Sequence, residues 1–151
     1  MSDIADRLAA MAPEDRLYAL RTLPAHLAGA GRDDRLRRVL TNLGFLGAKL
    51  ETVGPEPLIA DYGLIAGEPL GLDLVQAAIR LAAHVLRADP RLLYGQLAAR
   101  LDGIGAAAVT DLLGAAPGTP WLRPATRSLV LASAPLLRTL TGHTADVGEI
   151  V

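Results

Sequence analysis

Apolar residues recur along most of this chain at intervals of three and four, the period that collects side chains on one face of an α-helix. The pattern is clearest over 72–88, where Leu72, Val75, Ile79, Ala82 and Leu86 form one stripe. Leu74, Ala78, Leu81 and Val85 form a second. Two stripes imply packing on two sides, which predicts a central helix. The remaining stripe, Asp73, Gln76, Arg80, His84 and Arg87, is assigned to solvent or to a partner. Upstream, Ser2 can cap a short helix over 3–11, and Pro13 suits the first turn of a second, followed by Glu14 and Asp15. That second helix carries Leu17, Leu20, Leu23 and Leu27. Pro24 interrupts it, and the lost backbone donor predicts a kink near Arg21 or a split. Further short helices are predicted over 33–42, with Leu36, Val39, Leu40 and Leu43 inward, over 45–53 and over 57–65. Asp89 and Pro90 open a helix bearing Leu93, Leu97 and Leu101, and 104–113 supplies the last. The fold class is therefore all-α: a bundle or short solenoid of antiparallel helical hairpins, about seven helices in number.

Beyond residue 116 the character changes. Pro117, Pro120 and Pro124 do not belong inside regular helices, and Trp121 among them is expected to anchor the segment onto the helical body. Residues 128–132 are compatible with strand or helix. From Leu136 the chain reads LLRTLTGHTADVGEIV, a strand, a glycine turn and the start of another strand. The expected organisation is a helical domain over 1–116, a Pro-containing linker over 117–135 and a β-leaning tail over 136–151.

Composition sharpens this picture mainly by exclusion. Of 151 residues 51% are hydrophobic and only 3% aromatic, so leucine and alanine carry the core and favour helix. There is no cysteine, hence no disulfide frame, thiolate metal site or cysteine nucleophile. A net charge of −1 gives no general attraction to nucleic acid or anionic lipid, so neither is expected as a partner. The N-terminus has no basic region leading into an apolar run, and no uncharged apolar stretch is long enough to span a membrane. A cytoplasmic helical domain is expected.

Candidate chemistry is sparse. The only lysine, Lys49, follows Ala48 and precedes Leu50, outside any GxxxxGK[ST] phosphate loop. His26, His84 and His143 show no ligand spacing, and no serine lies in a GxSxG elbow. No catalytic residue, metal or cofactor is expected. The densest basic cluster is Arg32, Arg35, Arg37 and Arg38, diluted by Asp33 and Asp34 and lacking interleaved aromatics. It reads as a solvated helix face or an arginine-rich protein contact. The candidate partner-contact residues are Arg35, Arg37 and Arg38, together with Arg80, His84 and Arg87.

Two stretches carry a family resemblance. Residues 18–62 contain RTLPAHLAGAGR, FLGAKL and LIADY, and this block resembles the helical arm of apoptotic protease-activating-factor-like proteins. In that STAND class of signalling ATPases the arm follows the nucleotide-binding module and leads into a WD-repeat propeller. Residues 136–147, LLRTLTGHTADV, resemble the LxxLxGHxxxV entry into a WD repeat. The resemblance implies a non-enzymatic interaction module between an ATPase and a sensor propeller, with 136–151 as a truncated entry strand. A tetratricopeptide-like scaffold that binds a protein partner is the alternative. An entry strand without a neighbouring blade leaves its backbone groups unpaired. Deleting residues 136–151 is thus expected to leave helicity and melting temperature nearly unchanged, as circular dichroism on heating would show.

Overall fold

The computed structural model describes residues 4–67, 71–118, 120–122 and 129–132. Among them are eight α-helices, two 3-10 turns and no strand, as the apolar period requires. The β-leaning tail over 136–151 lies outside the described residues.

The first four helices are α1 (Ile4–Ala9), α2 (Pro13–Gly29), α3 (Asp33–Leu40) and α4 (Leu43–Val53). Proline opens α2, where its missing donor costs nothing, with Glu14 and Asp15 in the first turn. Pro24 does not split this helix, which runs unbroken for 17 residues. The reason is tertiary: Pro24 and Leu20, one turn earlier, are both buried, and packing offsets the missing hydrogen bond. Asn42, the last residue of the helix predicted over 33–42, is instead the N-cap of α4, its Oδ1 accepting from the Phe45 N–H at 2.9 Å. At the start of α4, Gly44 lies so close to α1 that a Cβ there would collide with that of Ala5.

The second half comprises α5 (Pro55–Asp61), a 3-10 turn at Tyr62–Leu64, α6 (Leu72–Ala88), a 3-10 turn at Pro90–Leu92, α7 (Leu93–Arg100) and α8 (Ala107–Gly114). The helix predicted over 57–65 therefore starts two residues earlier and ends in a tighter turn. Gly71 caps α6 at φ +93°, where a Cβ would come within 2.5 Å of the Ala106 side chain. Glycine alone meets both demands.

Neighbours in sequence are neighbours in space. The helix α2 packs on α3 and α4, α4 on α5, α5 on α6, and α6 on α7 and α8. One continuous core results, with Leu20, Phe45, Leu58, Ile79 and Leu97 wholly buried. The predicted central role of α6 holds: Leu72, Val75, Ala78, Ile79, Ala82 and Leu86 are all buried. Its second stripe is only partly covered, since Leu81 remains 39% exposed. Gln76, assigned to the polar face, is half-buried and donates to the Ile59 carbonyl of α5 at 2.9 Å.

Beyond α8 the described chain touches α7. The Trp121 ring meets Tyr94 edge-on, with centroids 4.7 Å apart. The Arg100 guanidinium donates to the Val130 carbonyl at 3.0 Å, and Ala132 N–H donates to the Arg100 carbonyl at 2.9 Å. Tyr94 also donates its hydroxyl proton to the Leu113 carbonyl of α8.

Because Ile79 is wholly buried, Ile79→Asp would bring an unpaired charge into the core, at a cost of more than about 4 kcal/mol. Urea titration followed by circular dichroism should find this variant unfolded or nearly so. A soluble, fully helical variant of wild-type stability would refute the central position of α6.

Candidate functional site

The six candidate contact residues divide into two sets on helices with different neighbours. On α3, Arg35 and Arg38 are exposed, and Arg38 donates Nε–H to the Asp34 carbonyl one turn back. Arg37 is half-buried and donates to the Ala66 carbonyl at 3.2 Å, tying α3 to the loop after α5. On α6, Arg80 and His84 are exposed, and Arg87 forms an ion pair with Glu56 of α5. Hydrogen bonding from Arg87 holds the Glu56 carboxyl below the usual carboxylate range. Exposure of both partners makes this pair a minor contributor to stability. His26 is exposed as well, its Nε2 3.4 Å from the Tyr18 hydroxyl.

Beside the exposed part of the α3 set lies a groove of about 900 Å³. Its walls are α1, α2, α3 and the start of α4, and the end of α8 closes one side. The lining is largely apolar: Ile4, Leu8, Leu23, Leu27, Val39 and Leu43. Met11, a residue 37% exposed, adds a thioether side chain. Polar groups inside are already engaged. Thr41 donates its hydroxyl proton to the Arg37 carbonyl, and Asn42 accepts from Phe45 N–H. Arg7, Arg35 and Arg38 also line the groove, with Asp111 opposing them. The structure thus brings two of the six candidate residues, Arg35 and Arg38, to one concave surface.

A second polar constellation lies in the core. Lys49 is 1% exposed, and its Nζ is 2.5 Å from Asp61 Oδ2. The ammonium also lies 6.0 Å from the centre of the Phe45 ring. Burial raises the Asp61 carboxyl above its ordinary value, outweighing the attraction of Lys49. Adjacent Tyr62 is buried too, and its hydroxyl donates to the Leu40 carbonyl at 2.9 Å. Burial, reinforced by the Asp61 charge, raises the Tyr62 phenol. The two charges meet each other inside the core, which fits a structural task.

Among the described residues no group of three His, Asp or Glu side chains could hold a metal ion. No helix among them is long and apolar enough to cross a membrane.

The comparison with protein families bears on what this arrangement is. The model of the APAF-1 helical domain matches residues 5–98, more than half of the chain and nearly all of α1 through α7. The chain belongs to the APAF-1 helical domain family. The match contains the 18–62 block on which the resemblance was noted, and α8 and the following segment lie outside it. No curated protein and no solved structure matches the chain.

Sequence reasoning did not find the inward roles of Lys49, Asp61 and Arg100 in this APAF-1 helical domain. A signal existed for two of them. Lys49 follows Phe45 by one helical turn, and Arg100 follows Leu97 by three residues, so each continues an apolar stripe. Arg100 is buried, which lowers its guanidinium from the ordinary value.

Breaking the Lys49–Asp61 pair from one side strands a buried charge, whereas replacing both partners with apolar side chains removes two desolvation penalties. Lys49→Met or Asp61→Leu alone should each lower stability by about 3–5 kcal/mol. The double variant should recover most of that loss in urea denaturation. Additive losses in the double variant would show that the two charges do not act as a pair.

Proposed function

We propose that this APAF-1 helical domain is a non-enzymatic arm of a STAND-type signalling ATPase, which positions a WD-repeat sensor relative to a nucleotide-binding module. The observation that carries the reading is the family match over residues 5–98, which takes in most of a single continuous core that runs on into α8 through Ala108, Val109 and Leu112. A positioning element must transmit displacement without deforming, and close-packed interiors have that property. Short connections between helices that each pack on their sequence neighbours support the same reading.

Its partners, on this reading, are proteins: the adjacent modules in the same polypeptide or in a stable complex, in the cytoplasm. The arm carries no catalytic group or cofactor of its own, and its contribution is geometric. The exposed arginines of α3 and the exposed Arg80 and His84 of α6 are the surfaces offered to the modules on either side.

The native protein distinguishes the readings. Antibodies raised against this domain should detect, in its own host, a species far larger than 15.8 kDa. Mass spectrometry of that species should find nucleotide-binding and WD-repeat peptides in the same chain or at equal stoichiometry. A native protein of about the domain's own mass, free of both modules, would replace the arm with an autonomous scaffold.

A further inference from the structure

The groove bounded by α1, α2 and α3 has the features of a receptor for a helix. Its volume of about 900 Å³ is near the upper end of the range for ligand pockets, about 300–1,000 Å³. A small uncharged polar ligand would need convergent neutral hydrogen-bonding groups, but Thr41 and Asn42 are already bonded within the protein. An extended peptide would need an open strand edge, and none exists among the described residues. What the groove offers is an apolar floor between helices, the setting in which an amphipathic helix buries residues spaced i, i+3/4 and i+7. Met11 at its edge supplies a flexible, polarisable side chain that adapts to its occupant.

Charge identifies the partner's chemistry. Arg7, Arg35 and Arg38 line this one groove against the single carboxylate of Asp111. None of the three arginines forms an ion pair among the described residues. The excess of two positive charges stands beside an apolar surface, where a guanidinium can meet a carboxylate with two hydrogen bonds. The complement is a helix with one apolar face and carboxylates along its flank.

We propose that this groove binds an acidic amphipathic helix of another polypeptide, through its apolar floor and the arginines Arg7, Arg35 and Arg38. The proposal deepens the reading of the chain as an interaction module by assigning one contact surface and the chemistry of what it takes. Because Arg35 and Arg38 are exposed, reversing their charge leaves the core intact.

The test is a selection on the full chain from a displayed library of helical peptides with a constant apolar stripe and randomised flanks. Enriched sequences should carry more Asp and Glu than Lys and Arg. They should bind the Arg35→Glu/Arg38→Glu variant at least tenfold more weakly, while binding to wild type weakens as salt rises. Met11→Glu should also reduce binding, with helicity of both variants unchanged. Enrichment without an acidic excess, binding indifferent to the charge reversal, or no enrichment would each overturn the proposal. So would binding that emerges only after removal of residues 133–151, which would make the chain's own tail the occupant. A wild-type dimer in sedimentation that Met11→Glu dissociates would assign the groove to a second copy. None of these results bears on the size and composition of the native protein, so the wider reading stands or falls separately.

Discussion

A buried charge pair joins the two halves of this fold. Lys49 projects from α4, which packs on α1, α2 and α3; Asp61 ends α5, which packs on α6. Helix packing through leucines alone specifies a contact only to within neighbouring ridges and grooves. A buried ammonium has few acceptable positions, because any sliding of α5 along α4 would leave it unpaired at large cost. Tyr62 strengthens the same junction by donating to Leu40 at the end of α3. The pair is weak as a source of net stability, since burial opposes both charges. Its value is selective: it disfavours the alternative registers that a leucine-rich interface would otherwise tolerate.

Other polar groups play related parts at the connections. Arg37 joins α3 to the loop after α5, Gln76 joins α6 to α5, and Arg100 joins α7 to the segment around Val130. Each donates to a backbone carbonyl outside its own helix. Such bonds satisfy acceptors that helix ends and loops leave open, and they restrain chain segments that have little apolar surface of their own. The leucine core supplies most of the driving force for folding, while these few donors orient its pieces. This division suits a domain whose proposed task is to hold other modules in fixed relation.

Much of the helical pattern was legible in the chain. The limits of α6 were readable to the residue, because two apolar stripes and the Asp89–Pro90 stop agree. The helix predicted over 45–53 begins two residues earlier, at Leu43, because Asn42 does not end α3 but caps α4 by accepting from the Phe45 N–H. Of the two outcomes that Pro24 predicts, the split does not occur: Pro24 is buried within α2, which runs on to Gly29. Selecting contact residues from a basic cluster and a polar stripe is a criterion blind to the third dimension. It could not separate Arg37 and Arg87, which are engaged within the domain, from Arg35 and Arg38, which face the groove.

By itself, then, the sequence determined the all-helical class, the identity of most core positions and the membership of the family, because each follows from local period and residue type. Only the tertiary structure decided which charges turn inward, where a concave surface opens and which arginines border it. Those outcomes depend on how helices far apart in the chain approach one another. Lys49 and Asp61 lie on consecutive helices across a glycine–proline turn, and Arg7 and Asp111 are separated by nearly the whole fold. Local period and residue type do not report that Lys49 meets Asp61, or that Arg7 and Asp111 line one groove.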